Sequence, residues 1–302
     1  PYRRQRQMCI RDSMNREQIM EPLVSIIIPV YNRQDTIMES INSVLKQSYK
    51  NMEILVIDDG STDNTEYVVK QIKDNRIIYY KQPQEGACAA RNKGILLAQG
   101  KYIAFNDSDD VWYENKLQNQ IQCLETNSAD IVFGKLKETL SGKIVPSHIS
   151  YGLLPQNVDL SGIGTQTLIA KADVLKNNLF NERLPRLQEL ELLIRLHLKY
   201  EIYCIDEPVV KWRIQNDSIS KNINKLYLAT QIILNEDNNK LENIPKTKGT
   251  ILGYLATCKA YQGIDDYILF RDAYKLKGRR LDYIKMILAR VGILSRYYKR
   301  FK

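Results

Sequence analysis

The sequence predicts an α/β fold: a mostly parallel sheet flanked by helices, followed by a C-terminal helical extension. Three observations carry that expectation. Four apolar runs, "LVSIIIPVYN" (23–32), "MEILVIDD" (52–59), "RIIYYKQ" (76–82) and "KYIAFNDSDD" (101–110), are short and nearly continuous, as strands covered on both faces are. Segments with helical spacing of apolar residues fill the three intervals, giving the alternation of right-handed βαβ crossovers. From about Lys221 strand-like runs cease, and helical periodicity continues to the end.

Each element follows from its residues. Pro29 closes the first run rigidly. "TIMESINSVLKQS" places Ile37, Ile41, Val44 and Leu45 on one helical face. "STDNTEYVVKQI" opens the second helix, with Asp63 and Glu66 spaced as in a capping box, Gly60 allowing a tight turn before it, and Ser61 or Thr62 available as a cap. "GACAARNKGILLAQG" forms the third helix, closed by Gly100 at its C-terminal side. Beyond the fourth run, "YENKLQNQIQCLE" reads as a helix and "ADIVFGKLKE" with "GKIVP" as a hairpin. Residues 147–164 are loop-rich, "PRLQELELLIRLHLKY" surrounds an amphipathic helix, and "IYCIDEPVVKWRI" supplies one or two closing strands. Residues 1–20 are set aside as a disordered or non-native tail, because "PYRRQRQMCIRDS" has no periodicity and precedes a start at Met14.

At 302 residues, 44% apolar and 26% charged, the chain can bury a sizeable core. Its net charge of +9 is confined to the ends: residues 279–302 carry +7 and residues 1–13 carry +3, leaving −1 for 14–278. A basic groove through the fold is therefore excluded, and nucleic acid with it. Five cysteines without CxxC spacing, and only two histidines, form no zinc pattern; reduced thiols are expected, as in cytoplasm. No apolar run approaches the roughly 20 residues that span a bilayer.

Carboxylates gather where the runs end, and ligands of open α/β sheets bind beyond the carboxyl ends of the strands. Asp58 and Asp59 follow the second run; Asp107, Asp109 and Asp110 follow the fourth. Uncompensated charge at the end of a buried strand is costly, so solvent or a cation belongs there. If the chain stays extended past Phe105, Asp107 and Asp109 share one side and Asp110 faces the other. Two hard carboxylates on one side suit Mg²⁺ or Mn²⁺ held partly through substrate phosphates, although an Asp-rich turn or a cap before Trp112 would use the same residues. A carboxylate at the Asp58–Asp59 edge can accept from a base N–H or a ribose hydroxyl, or serve the next helix through its dipole. Tyr31 can lie beside a nucleobase or simply pack.

Taken together and in order, "VSIIIPVYNRQDTIMESINSVLKQSYKNMEILVIDDGSTDNT" and "GACAARNKGILLAQGKYIAFNDSDDVW" resemble family 2 of the nucleotide-sugar glycosyltransferases, closely over 23–116 and more loosely to about Ser220. The resemblance implies the Rossmann-like GT-A fold, with a nucleotide-binding half at 21–110, an acceptor half at 111–220 and a helical region at 221–302. It implies that Pro29, Tyr31 and Asp59, with Asp58 as the alternative, contact base and ribose. Arg91 and Asn92 in "ARNKG" match residues lining the donor side, or else serve their own helix. Asp107 and Asp109 match the family's DxD, whose second Asp binds the Mn²⁺ or Mg²⁺ that bridges the donor diphosphate, with Asp110 as a supporting residue or cap.

Family members often place a general-base Asp near the start of a helix in the second half. "LPRLQELELLIRL" is similar but offers Glu189, one methylene longer. Glu191 is the rival, yet Arg195 stands at its i+4 position in the favourable orientation for an ion pair, whereas Glu189 has Leu193 there. "KWRIQNDSIS" resembles the stretch that closes over the diphosphate; where members often have His, Gln215 and Asn216 stand. The implied reaction is inverting transfer from a nucleoside-diphosphate sugar, UDP being the expected nucleotide, to a hydroxyl of a glycan or lipid-linked acceptor in surface polysaccharide synthesis. An ordinary Glu pKa of about 4.3 leaves the base ionised at neutral pH. A sugar nucleotidyltransferase would need a Gly-rich basic loop after the first strand, and "PVYNRQDT" has no glycine. A non-catalytic sugar-nucleotide-binding or assembly module would bind without turnover, and the Glu-for-Asp change is the feature that favours it.

Residues 279–302 place Leu281, Ile284, Leu288, Val291, Leu294 and Tyr298 at helical spacing among basic residues. Such a helix either lies on an anionic membrane surface or packs on the domain with a solvated basic face. A lipid-linked acceptor favours the first, giving a cytoplasmic protein peripheral at the inner face of the membrane.

Overall fold

The fold, a computed structural model, describes residues 21–212 and 222–299. β1 (Val24–Val30) and β2 (Met52–Asp58) are buried at every position, which their unbroken apolar runs require. With β3 (Ile77–Lys81) and β4 (Tyr102–Phe105) they pair in parallel in the order β3-β2-β1-β4. The crossovers are α1 (Ile37–Leu45), α2 (Thr65–Gln71) and α3 (Ala87–Leu97). Pro29 is tolerated in a central strand because the β1–β4 ladder ends at Ile27 and Phe105, two residues earlier. α3 packs directly on β1 through Gly94, where a Cβ would come within 2.5 Å of Ile27.

The sheet continues through β9 (Leu168–Lys171), β6 (Ile131–Glu138), β10 (Ile202–Trp212) and β5 (Val111–Trp112), in that spatial order. β9 runs antiparallel to both β4 and β6, so the sheet is parallel in its first half and mixed in its second. β7 (Ile144–Val145) forms the expected hairpin with β6, and β8 (Gly152–Leu153) pairs with β10. β10 is a single strand whose register shifts on either side of Pro208. α4 (Lys116–Thr126), α5 (Ala172–Lys176) and α6 (Gln188–His197) cover this half.

Past Phe105 the chain takes the turn rather than the extended path, with the Asp110 N–H donating to the Asp107 carbonyl at 3.1 Å. Two local expectations are corrected. No capping box forms at Asp63 and Glu66. The loop after β1 crosses here, so Asp63 accepts from the Gln34 N–H (3.1 Å) and the Thr65 N–H (2.9 Å), while Glu66 pairs with Lys70 and Lys81. α3 ends at Ala98 rather than on a glycine; the Gly100 N–H instead donates to Ser25 Oγ on β1 at 2.8 Å.

The C-terminal region is helical: α7 (Ile223–Glu236), α8 (Asn238–Leu241), α9 (Pro245–Tyr261), α10 (Tyr267–Lys277), α11 (Arg280–Arg290) and α12 (Leu294–Lys299). α9 clasps the loop that precedes β9. Lys246 N–H donates to Asn157 Oδ1 (3.1 Å), Thr247 Oγ1 donates to the Val158 carbonyl (2.8 Å) and accepts from the Leu160 N–H (3.1 Å). Lys277 of α10 adds a buried ion pair to Asp159 at 2.6 Å. The four described cysteines are buried free thiols, and no described helix is long and apolar enough to cross a membrane.

Candidate active site

The carboxyl ends of β1, β2 and β4 open on a cleft of about 740 Å³ whose walls include Pro29, Tyr31, Asp59, Arg91, Asp107 and Asp109. That volume suits a small-molecule ligand. The loops after β1 and β2 are zipped together at its rim. Asn32, in the left-handed region at φ 50°, donates its N–H to Ser61 Oγ (2.9 Å) and accepts from the Thr62 N–H (2.8 Å), so neither Ser61 nor Thr62 caps α2. Asn tolerates this backbone better than most residues. The arrangement leaves Tyr31 39% exposed, beside the cleft.

Asp58 and Asp59 part company. Asp58 is fully buried; it accepts from the Ser61 N–H (2.7 Å) and from the Tyr79 hydroxyl of β3, and it stands outside the cleft wall. Of the two, Asp59 is the one that lines the cleft. Its carboxylate accepts from Gln82 Nε2 (2.9 Å) and from the Glu85 and Gly86 N–H groups (both 2.8 Å), fixing the loop that enters α3.

The Asp107–Asp110 turn is set by a buried relay from α1. Asn106 Nδ2 donates to Ser40 Oγ (2.9 Å), and Ser40 Oγ donates to the Asp107 carbonyl (3.0 Å). Asp107 and Asp109 are presented on one turn, with 30% of the Asp107 side chain exposed. Asp110 is buried beneath them. Arg91 of α3 donates to Asp107 Oδ1 at 3.0 Å and faces the Phe180 ring, while its buried Nε has no hydrogen-bond partner among the described residues. An unsatisfied buried donor in a cleft wall is costly unless a ligand completes it. Asn92, by contrast, faces away. Its amide grips the Phe180 backbone on both sides (3.0 and 2.8 Å) and Glu182 (2.7 Å), and it is not among the residues that line the cleft.

Glu189 lies half-buried in the first turn of α6, just after Leu187, whose φ of 62° is rare for a residue with a branched side chain. Burial pushes its carboxyl above the ordinary Glu range, opposed by its own backbone N–H and by Arg91, with the Asp107 charge acting in the raising direction. The ordinary value expected from sequence is therefore corrected upward. Glu189 is not itself among the residues that line the cleft. Glu191 is buried and bound to Arg195 Nε and Nη2 (2.6 and 3.0 Å), the ion pair its spacing implied.

Two cleft residues carried no signal of their own in the sequence. Trp212 ends β10, and Lys225 lies in the first turn of α7; both line the cleft. Trp212 is the second residue of the "KWRIQNDSIS" stretch, which bears its resemblance only as a whole, but Lys225 is an ordinary exposed lysine until the topology returns α7 to the strand ends. Gln215 and Asn216 lie outside the described residues. Asp107 and Asp109 offer hard oxygen donors of the kind Mg²⁺ and Mn²⁺ take. No cluster of three or more His, Cys, Asp or Glu able to hold a metal forms among the described residues, so a cation here fits only with oxygens from a ligand.

Known proteins resemble the chain in sequence and in fold. The profile described as Glycosyl transferase family 2 matches residues 25–150. An Escherichia coli protein, UDP-Glc:alpha-D-GlcNAc-diphosphoundecaprenol beta-1,3-glucosyltransferase WfgD, is 38% identical over 208 residues, covering 66% of this chain and 80% of that one. The chain spans only 35% of the length of the uncharacterized glycosyltransferase of Rickettsia felis, to which it is 38% identical over 213 residues. Among solved structures, Staphylococcus aureus TarS 1–349 in complex with UDP-GlcNAc superposes with a TM-score of 0.67 at 20% identity, covering 91% of this chain and 89% of that one. The Pyrobaculum calidifontis mannosyltransferase PcManGT, in complex with GDP-Man and Mn²⁺, does so with a TM-score of 0.59 at 16% identity, covering 92% and 87%. These two likenesses show the fold.

Proposed function

The chain belongs to glycosyltransferase family 2, and we propose that it is a metal-dependent inverting enzyme that moves a sugar from a UDP-sugar to a hydroxyl of a lipid-linked glycan. The setting proposed is surface polysaccharide assembly at the inner, cytoplasmic face of the membrane. The observation that carries this reading is that Tyr31, Asp59, Arg91, Asp107 and Asp109, from three strand ends and one helix, line a single cleft. The donor and acceptor classes are supported by the name of the Escherichia coli relative. The proposed division of labour is a nucleotide-binding half at 21–110, an acceptor half at 111–220 and helices beyond.

In this reading Tyr31 lies against the base, and Pro29 and Asp59 shape its seat, Asp59 through the loop it holds. Asp107 and Asp109 would hold Mn²⁺ or Mg²⁺, which when bound supplies positive charge against the departing diphosphate. Arg91 and Lys225 line the same cleft and add cations to it. Glu189 accepts the acceptor hydroxyl's proton as that oxygen attacks the anomeric carbon; the C–O bond to the diphosphate breaks on the other face, which inverts the configuration. A carboxyl raised by burial is a stronger base than an exposed one, provided it is still ionised at the working pH.

The test is a thermal-shift screen of UDP, GDP and their sugars with and without Mn²⁺, paired with turnover on a lipid-linked acceptor. A UDP-sugar should stabilise the protein in a Mn²⁺-dependent way, and Asp109→Ala should lose the metal-dependent part. Glu189→Gln should keep donor binding and lose transfer. Absence of any nucleotide shift, or unchanged turnover in both variants, overturns the assignment.

A further inference from the structure

The C-terminal helices show an apolar surface that the transfer reaction does not use. The sequence spacing sets Leu281, Ile284, Leu288, Val291, Leu294 and Tyr298 on one face, and the structure divides that set. Leu294 is buried, and Leu288 and Tyr298 pack with Met286 on the cluster of Ala256, Ala260, Phe270 and Ala289. Ile284 (52% exposed), Ile287 (42%) and Val291 (58%) point outward, with Ile293 (48%) just beyond them. Residues 284, 287 and 291 follow i, i+3, i+7 spacing, so they form one stripe along α11. A helix resting on its domain normally turns polar residues outward. This one is apolar on both sides.

Neighbouring segments extend the stripe. Asp265 accepts from the Ser295 N–H (2.7 Å), and the Arg290 guanidinium lies 5.6 Å from the centre of the Tyr267 ring. These contacts bring Ile264 (54% exposed) and Ile268 (57%) to the same end of the bundle. Exposed arginines flank the stripe at Arg280, Arg290 and Arg296, within a segment carrying +7 while residues 14–278 carry −1. A symmetric contact with a second copy would set each patch against itself and bring like charges together. The surface instead suits a partner that is negative at its face and oily just beneath it.

We propose that α11 and the short link to α12 dock on an anionic phospholipid bilayer, with Ile284, Ile287, Val291 and Ile293 entering the interface and the arginines meeting headgroup phosphates. The helix lies on the membrane; it is too short to cross it. This surface is distinct from the donor cleft, so the proposal stands or falls apart from the assigned chemistry.

Flotation of the full chain with vesicles decides it. The protein should float with vesicles of phosphatidylglycerol and phosphatidylcholine and stay behind with phosphatidylcholine alone. Raising salt from 0.1 M to 1 M shortens the Debye length from about 10 Å to about 3 Å and should release much of the bound protein. Ile284→Glu with Ile287→Glu should cut the floated fraction about tenfold while the thermal midpoint holds, since both side chains are exposed. Arg280→Gln with Arg296→Gln leaves the apolar stripe intact and should weaken flotation too, which keeps the test meaningful if the glutamates disturb α11. The proposal is overturned by equal binding to neutral and anionic vesicles, by wild-type flotation of both double variants, or by light scattering that shows a dimer which the glutamate pair splits.

Discussion

Two acidic corners meet at the edge of this sheet, and they are built on opposite principles. At the end of β2 the protein consumes its own carboxylates: Asp58 is buried under Ser61 and Tyr79, and Asp59 is held by Gln82, Glu85 and Gly86. At the end of β4, Asp107 keeps part of its carboxylate in the open. The backbone there is fixed by Ser40 and Asn106, and Asp107 has Arg91 as its recorded side-chain partner. The first corner makes shape and the second keeps charge available. Similar residues at equivalent places in the topology therefore do different work, and the difference lies in which neighbours supply N–H and O–H groups.

The comparison breaks most visibly at the carboxylate that belongs to neither corner. Glu189→Gln should lower kcat by about 10² to 10⁴ while donor binding holds, measured by turnover and thermal shift. In the parent protein kcat/KM should fall as pH drops through the raised Glu189 pKa, with a limb above the ordinary value of about 4.3; protonation there removes the base. Asp109→Ala at the open corner should cost about 10² to 10³ in kcat/KM and leave unfolding midpoints nearly unchanged. At the closed corner the pattern reverses. Asp58→Asn should destabilise the fold by about 1–3 kcal/mol in urea unfolding, because a buried acceptor set is disturbed, with a far smaller effect on kcat. The smallest effect expected is Lys225→Met: a rise in donor Kd of a few-fold, about 1 kcal/mol or less for an exposed cation, read by titration with UDP. A stability loss at Asp109 larger than at Asp58 would erase the distinction drawn between the corners.

Much of the fold was legible because β1 and β2 are buried on both faces, and such strands have no choice but to be apolar throughout. The hairpin of β6 and β7 and the amphipathic α6 were equally plain. The antiparallel insertion of β9 between β4 and β6 was not, because "TLIAK" reads the same in either direction of pairing. At the site, the acidic residues could be found from sequence, but the choice between Asp58 and Asp59 needed the Tyr79 hydroxyl, which arrives from β3. Asn92 sits one residue after Arg91, and its amide is taken up by the Phe180 backbone, a partner from the far side of the sequence that no local pattern announces. Extended chain and Asp-rich turn stayed open at 107–110 because the Ser40 hydroxyl that accompanies the turn comes from α1. Lys225 gives no local cue at all.

The clasp of α9 and α10 on residues 157–160 has a bearing on how this enzyme type could be re-engineered. A loop stitched to a later helix by Asn157, Thr247 and the Asp159–Lys277 pair cannot be exchanged as a free-standing cassette. Grafting a relative's loop without its matching helices would strand Lys277 in a nearly dry setting with no counter-charge, so loop and bundle form one heritable unit.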